Sequence, residues 1–268
     1  MKYIIDNDLH IHSKISSCSN DEAQTNERIL QYAVDNGLKT ICLTDHLWDS
    51  DVEGASDWYA PQNYEHISKA KPLPQSEGIR FLFGCETELK GDLTLGISKE
   101  KIELMDFIVI PTTHFHMEEY TLKKEELESL QGRANGWIRK LDALLNMDLP
   151  FYKIGIPHLT CCAIAQTREE YIETLNLLPE NELERLFTKA AQLGCGIELN
   201  YDDMSKFTDE EADFVLRPYR IAKKCGCKFY LGSDAHHPEI FDNAKAVFER
   251  AIDLLELTEE DKFIIRHK

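Results

Sequence analysis

The chain opens with a short apolar run that leads directly into polar residues: Tyr3-Ile4-Ile5-Asp6-Asn7-Asp8-Leu9-His10-Ile11-His12. The apolar part, residues 3–6, predicts a strand that is covered on both faces, as strands of parallel sheets are. Residues two apart in an extended chain point to the same face, so His10 and His12 can grip one metal ion together. This stretch therefore predicts a buried strand that leads into metal-binding side chains.

The same pattern recurs along the chain, because six further apolar runs follow, separated by segments with helical periodicity. The predicted strands cover residues 3–6, 40–44, 79–84, 107–111, 153–157, 196–199 and 228–232. The predicted helices cover residues 25–36, 122–147, 181–193, 208–224, 243–257 and 258–265. Strands that alternate with helices imply a parallel sheet. Seven such units predict a closed or nearly closed α/β barrel.

The predicted domain organisation is simple. We expect residues 1–268 to form a single domain, because no low-complexity linker or internal repeat divides the chain. The main insertion, residues 47–78, follows the second strand and contains a predicted short helix near residues 63–70. It is either a lid over the functional site or surface decoration. In the long helix predicted over residues 122–147, Gly132 and Gly136 are weak points.

The chain is strongly acidic, with 30 Lys and Arg against 48 Asp and Glu and a net charge of −18. Non-specific nucleic-acid binding depends on basic side chains, and an anionic membrane surface would repel this chain. No apolar run approaches the ~20 residues of a membrane span, and the first residues lack the pattern of a signal peptide. We therefore expect a cytoplasmic protein whose eight cysteines are free thiols.

Histidine and acidic residues mark the ends of the predicted strands. Eight of the ten histidines follow these runs, and in an α/β barrel the carboxyl ends of the strands form the rim that carries the chemistry. The residues in question are His10, His12, Asp45, His46, Glu86, His114, His116, His158, Glu198, Asn200, Asp234, His236 and His237. Imidazole with carboxylate suits Zn, Mn or Fe. Because the set exceeds what one ion needs, it predicts two or three divalent metal ions.

These motifs resemble those of the PHP family, the polymerase and histidinol phosphatase domain. The resemblance rests on segments that occur in order: residues 8–12, 44–46, 84–86, His114, His158 and residues 232–236. It implies an α/β fold in the form of a distorted (β/α)7 TIM-like barrel. It also implies a trinuclear metal centre that hydrolyses phosphate esters.

The resemblance further implies a ligand for each ion. The first ion would be held by His10, His12, Glu86 and Asp234. Glu86 would bridge to a second ion, which His114 and His158 would complete. His46 and His236 would hold the third. Cys18 stands where many relatives have a histidine, so either its thiolate is a third-site ligand or that site is weaker or empty. Glu198 and Asn200 are expected to support the site by hydrogen bonds, and Glu88 to lie past the rim.

The implied activity is hydrolysis of a small phosphomonoester by a metal-activated hydroxide, with histidinol phosphate or a nucleotide phosphate as the substrate. Asp45, His116 and His236 are candidates to assist the leaving group, although Asp45 could instead orient a ligand. A basic residue that grips the phosphate is also expected. The candidates are Lys14, Arg133, Arg168 and Lys206.

Two other classes of protein remain open. One is an amidohydrolase-type barrel, which also begins with a His-x-His motif, although Glu86 and the pair Asp234 and His236 favour the PHP interpretation. The other is a non-catalytic metal-binding module. Two or three divalent ions would make the rim locally positive, so the net charge does not exclude a phosphate substrate. It does argue against a long nucleic acid, and the oligomeric state stays open.

Overall fold

A computed structural model describes residues 1–19 and 21–265 of the chain, in which short strands alternate with helices. The strands are β1 (Asn7–Ile11), β2 (Thr40–Leu43), β3 (His46–Leu47), β4 (Arg80–Phe83), β5 (Cys85–Thr87), β6 (Ile108–Val109), β7 (Ile154–Ile156), β8 (Gly196–Asn200) and β9 (Lys228–Gly232). The α-helices are α1 (Asn26–Asn36), α2 (Tyr64–Ile67), α3 (Lys99–Ile102), α4 (Lys124–Leu127), α5 (Leu130–Leu145), α6 (Arg168–Asn176), α7 (Glu180–Leu193), α8 (Tyr201–Ser205), α9 (Ala212–Lys224) and α10 (Phe241–Leu254).

The strands pair in parallel in two sheets, with the orders β1-β2-β4 and β3-β5-β6-β7-β8-β9. Because β2 continues into β3 and β4 into β5 after one or two residues, the nine strands form seven segments in chain order. Backbone hydrogen bonds join the first segment to the chain beyond the last: Asp234 N donates to His10 O (2.7 Å), and His12 N donates to Ala235 O (3.2 Å). The predicted α/β architecture, a distorted TIM-like barrel, is confirmed.

The strands are buried on both faces, as their continuous apolar character predicts. In β9, Phe229 and Leu231 belong to the large core that the strands form with the helices. Tyr230 points the other way and packs in a smaller cluster with Phe107 and Phe263. Full burial of a large apolar side chain stabilises the fold by about 1.5–3 kcal/mol. The large core and the smaller cluster together hold in place the strands whose ends carry the functional residues.

Two helix ends follow the residues that predict them. The Thr25 side chain accepts a hydrogen bond from Arg28 N and so caps the start of α1. At its end, Gly37 adopts a left-handed conformation with φ of 68°, which glycine reaches without steric strain. Gly194 ends α7 in the same way, with φ of 78°. These caps confirm the helices predicted over residues 25–36 and 181–193.

The first strand differs from its prediction over residues 3–6. It begins at Asn7, which lies opposite Thr40 of β2. The residues before it are held by the far end of the chain instead, since Tyr3 N donates to Leu257 O (3.2 Å) and Tyr3 OH to Phe229 O (2.9 Å). As a result, His10 lies within the strand itself rather than beyond its end.

Two helix predictions were also wrong. Residues 258–265 form only a 3-10 turn, Glu259–Asp261, because Phe263 N then donates to Phe229 O (2.7 Å) beside β9. The helix predicted over 122–147 is divided into α4 and α5 at Ser129, whose hydroxyl accepts from Gly132 N (3.0 Å). A Cβ atom at Gly132 would lie 2.7 Å from the Glu126 carbonyl oxygen. This glycine therefore allows α4 and α5 to approach closely.

The insertion between β3 and β4, residues 47–78, contains the predicted short helix as α2 followed by a 3-10 turn, Ser68–Ala70. The segment folds back on itself, since Trp48 N donates to Gln62 O (2.9 Å). Its residues Trp58 and Tyr59 reach the carboxyl ends of the strands. Across the two described ranges, no helix combines the length and the apolar character that a membrane crossing requires.

Candidate metal centre

Three clusters of potential metal ligands lie together at the carboxyl ends of the strands. Within each cluster, one ligand atom per residue lies within 4.8 Å of the others. Cluster 1 consists of His10, His12, Glu86 and Asp234. Cluster 2 consists of Glu86, His114 and His158. Cluster 3 consists of His12, Cys18, His46 and His236. The structure therefore brings together all nine positions that the sequence proposes as metal ligands.

Glu86 connects the clusters, because its two carboxylate oxygens face in different directions. Oε2 lies 3.4 Å from His10 Nε2 and 3.3 Å from His12 Nε2, on the side of cluster 1. Oε1 lies 3.4 Å from His158 Nε2 and 3.7 Å from His114 Nε2, on the side of cluster 2. A carboxylate with this orientation can bridge two ions.

Cluster 3 is built on the imidazole ring of His12. This ring stacks on His46 at a centroid distance of 4.7 Å and on His236 at 4.4 Å. His46 Nδ1 is buried without a hydrogen-bond partner among the described residues and lies 3.2 Å from Glu86 Oε2. The Cys18 thiol donates to Ser16 Oγ (3.3 Å). Imidazole and thiol donors with this spacing fit a transition-metal ion such as zinc.

Glu198, in the middle of β8, orients two of these histidines. Its Oε1 lies 2.7 Å from His10 Nδ1, and its Oε2 accepts from the backbone N–H of His158 (2.9 Å). Asn200 Nδ2 donates to the same Oε2 (3.1 Å), which confirms the predicted supporting hydrogen bonds. Any side chain at Gly232 would collide with the Glu198 carboxylate, so only glycine leaves room for it beneath β9.

Glu88 plays the corresponding part for cluster 2, although it was expected to lie past the rim. It is fully buried, and its Oε2 lies 2.7 Å from His114 Nδ1. Its Oε1 lies 3.4 Å from Nζ of Lys140, which is also fully buried. Thr113 Oγ1 similarly lies 3.0 Å from His158 Nδ1. In metal-binding histidines, the ring nitrogen that does not bind the metal characteristically makes a hydrogen bond of this kind.

The clusters are also strongly coupled electrostatically. Burial favours the neutral acids, but the neighbouring histidines hold the pKa values of Glu86 and Asp234 below their usual range. Burial likewise opposes protonation of His10, yet Asp234, Glu198 and Glu86 raise its pKa well above the ordinary value. The site thus keeps ionised carboxylates in a buried environment, where they need a positive partner.

The backbone is unusual at two of the ligand positions. His158 has φ of 30° and Asp234 has φ of 50°, values that L-residues other than glycine seldom adopt. Such conformations persist only where the surrounding structure enforces them, and they concentrate at functional sites. Here they turn the chain at the ends of β7 and β9.

Asp45 and His116 belong to none of the three clusters. Asp45 is buried, and its carboxylate accepts hydrogen bonds from Ser13 N (2.7 Å) and Ser13 Oγ (2.8 Å). It thereby holds the segment that follows β1. His116 lines the cavity beside the clusters, and its ring centroid lies 5.4 Å from that of His114.

A cavity of about 580 Å³ opens over the clusters. Its floor contains Cys18, His46, Glu86, His114, Asp234 and His236. Its wall contains Ser56, Trp58, Tyr59, His116, Met117 and Tyr120. Apart from His116, the sequence analysis did not identify these wall residues. In the sequence, the adjacent aromatic residues in the insertion are the one feature that could have indicated part of this wall.

The four basic residues that we expected as candidates to bind the phosphate lie outside the cavity. Each pairs with an acidic residue: Lys14 with Glu22, Arg133 with Glu118, Arg168 with Glu211 and Lys206 with Asp202. Within the described part of the chain, none of these four lines the cavity.

A parallel α/β barrel with imidazole and carboxylate clusters at the ends of its strands defines a metal-dependent enzyme. Residues 8–265 match the PHP domain. The chain therefore belongs to the PHP family, and it is a metal-dependent phosphoesterase.

Solved structures agree with this fold. A histidinol phosphate phosphatase from Lactococcus lactis, in complex with zinc, L-histidinol and phosphate, is 16% identical with a TM-score of 0.55; the match covers 92% of this chain and 93% of that one. A candidate histidinol phosphatase from Listeria monocytogenes is 12% identical with a TM-score of 0.59, covering 90% and 99% respectively. A search of curated proteins finds no match.

Proposed function

We propose that the chain hydrolyses a small phosphomonoester at two or three divalent metal ions, which are zinc, manganese or iron. The observation that carries this proposal is the placement of Glu86, whose two oxygens face different ligand clusters. Zinc and phosphate in the Lactococcus lactis structure support the same chemistry. Clusters 1 and 2 would hold two ions that share Glu86.

Cluster 3 would hold a third ion through His46 and His236, with Cys18 as a further ligand. Burial raises the pKa of the Cys18 thiol, so this residue becomes a thiolate only with a cation beside it. His236 Nδ1 lies 2.6 Å from the backbone oxygen of Asp234, which leaves its Nε2 free to face the cluster.

When bound, the metal ions supply a hydroxide nucleophile near neutral pH and neutralise charge on the phosphoryl oxygens. In the overall reaction, an oxygen atom from water is added to phosphorus and the bond between phosphorus and the ester oxygen breaks. The departing oxygen then needs a proton. Of the three candidates, we assign this role to His116, which lines the cavity outside the clusters. His236 would remain a ligand, and Asp45 would position the segment after β1.

The proposed substrate is histidinol phosphate or a nucleotide phosphate rather than a long nucleic acid. The acidic surface disfavours a polyanion, whereas a single phosphate can enter the cavity. The eight cysteines are unpaired thiols, which supports the expected cytoplasmic location.

Metal analysis combined with a panel of phosphomonoesters tests the proposal. The purified protein is stripped of metal, reloaded with zinc, manganese or iron, and assayed for released phosphate. We expect at least two ions per chain and phosphate release that a chelator abolishes. Fewer than two ions would contradict the multinuclear centre. Cleavage of a cyclic amide with no phosphate release would favour an amidohydrolase, and metal binding without either activity would favour a non-catalytic module.

A further inference from the structure

The cavity wall has a chemistry of its own, distinct from that of the metal clusters. It is assembled from two distant segments, the insertion after β3 and the loop after β6. Tyr120 OH links them, because it donates to Gly54 O (3.2 Å) and accepts from Ser56 N (3.3 Å). The ring of Tyr59 lies 6.1 Å from that of Tyr120 and is fully buried. The wall is thus a fixed aromatic layer.

Trp58 is the part of this wall that a ligand can reach. Its ring packs edge-on against His46 (5.0 Å) and against Tyr59 (4.7 Å). Trp58 nevertheless remains 40% exposed, so part of its ring is accessible from the cavity. Met117 lies in the same wall, and a thioether packs well against a flat ring.

The wall carries no charge that could pair with an ionised ligand. Of the described residues that line the cavity, none is Lys or Arg, and the only carboxylates are Glu86 and Asp234 of the clusters. Lys90 lies over the Tyr120 ring at 5.3 Å but pairs with Asp92 (3.3 Å). A charged group that packed against this wall would therefore meet no counter-charge there.

Building on the proposed phosphoesterase function, we infer that the preferred substrate carries an uncharged leaving group with a planar ring. Its phosphate would lie over the clusters, and its ring would pack against Trp58 and Met117. A cavity of about 580 Å³ is within the range that holds such a molecule. Of the two proposed substrates, this inference favours the nucleotide, as an aryl-type or uncharged nucleoside-type ester, over histidinol phosphate, which is an aminoalkyl ester whose ammonium group would meet no counter-charge in the wall.

Hydrolysis of three esters by the zinc-loaded protein tests the inference: benzyl phosphate, ethyl phosphate and 2-aminoethyl phosphate. We expect kcat/KM to be highest for benzyl phosphate and lowest for 2-aminoethyl phosphate. In Trp58→Ala, the ratio of kcat/KM for benzyl over ethyl phosphate should fall about tenfold, as expected for one lost apolar contact. Phe214→Ala is the matched control, because Phe214 is an exposed aromatic residue on α9 outside the cavity. Equal ratios in both variants would overturn the inference.

Calorimetric binding of the three corresponding phosphonates separates this inference from the proposed function, because phosphonates are not hydrolysed. Tighter binding of benzylphosphonate without hydrolysis of any ester would contradict the phosphatase activity and support the recognition of a planar group. Hydrolysis of all three esters with no preference for the benzyl group would support the phosphatase activity and contradict the recognition of a planar group. Tightest binding of 2-aminoethylphosphonate would overturn the inference in either case.

Discussion

Glu88 Oε2 lies 2.7 Å from His114 Nδ1, while Glu88 Oε1 lies 3.4 Å from Lys140 Nζ. One buried carboxylate thus fixes the ring of a proposed ligand and also balances a buried ammonium group. Burial alone would lower the pKa of Lys140, and Glu88 opposes that shift. Cluster 2 is therefore linked through Glu88 to Lys140, a residue of α5.

Substitution of Glu88 should weaken the ion held by cluster 2. In Glu88→Gln, the loss of negative charge makes His114 a poorer ligand, and we expect the affinity for one zinc ion to fall about 10- to 100-fold. Titration against a competing zinc chelator measures this change. Glu184→Gln removes an exposed carboxylate that pairs with Lys224 and should leave every zinc affinity unchanged.

The free energy of unfolding provides the control for a purely structural effect of Glu88→Gln. Glu88→Gln leaves Lys140 buried without its counter-charge, which destabilises a fold by about 3–5 kcal/mol. The double variant Glu88→Gln with Lys140→Met should recover most of this loss in urea unfolding. It should not recover the zinc affinity. Recovery of both would show that Glu88 acts on the fold alone.

The proposed metal ligands could be predicted from sequence because the pattern that indicates them is local. A strand followed by His or an acid needs no knowledge of distant contacts, and the parallel arrangement collects all such ends at one rim. His10, His12 and Asp234 were therefore expected at the same rim, and the resemblance to the PHP family implied that they share one ion. Glu86 was expected at the same rim because it comes two residues after the apolar run over residues 79–84.

Glu198 and Asn200 were expected to support the site, but other supporting residues could not be predicted in the same way. Glu88 faces the site only because β5 continues the strand beyond Gly84, and its partner Lys140 lies 52 residues away in sequence. Likewise, Tyr120 and Ser56 belong to two loops without periodicity and meet only in the folded chain. Contacts of this kind depend on tertiary packing, which the hydrophobic pattern does not specify.

Cys18 should affect the third ion selectively. The Cys18→Ala variant removes one of the four donors of cluster 3, whereas clusters 1 and 2 do not contain this residue. We expect metal analysis to show a loss of up to one ion per chain, with the remaining two unchanged. Cys18→His restores a donor at the same position and should bring the third ion back. Unchanged metal content in Cys18→Ala would exclude the thiol as a ligand.

His116 should matter most for esters whose leaving group needs a proton. In His116→Gln, we expect kcat for ethyl phosphate to fall at least about 10²-fold, as for loss of a general acid. The fall for 4-nitrophenyl phosphate should be small, because its leaving group departs as an anion. His237→Gln is the matched control, since His237 is exposed and lies 3.8 Å from Asp21. Equal losses for both esters would assign His116 a role in binding instead.

Asp203 should make folding dependent on pH. Its Oδ2 accepts hydrogen bonds from Thr160 N (3.1 Å) and Tyr219 OH (2.9 Å), which fasten the loop after β7 to α8 and α9. Burial raises the pKa of Asp203 to about 7, against opposing effects of His158 and Tyr219. The folded state therefore favours the protonated acid, and its contribution to stability is lost as the pH rises from about 4 to about 7.

Comparison with Asp203→Asn isolates this contribution, because His158 and Glu198 are present in both proteins. Between pH 5 and 7, the unfolding free energy of the unsubstituted protein should fall relative to the variant by up to about 1.4 kcal/mol per pH unit. Above pH 7 the difference should become constant, since Asp203 is then ionised in both the folded and the unfolded chain. Urea unfolding of the metal-free proteins measures it, with Asp35→Asn as an exposed control. A difference that does not vary with pH would mean that Asp203 is already ionised throughout this range, and its hydrogen bonds to Thr160 and Tyr219 would then outweigh the effect of burial.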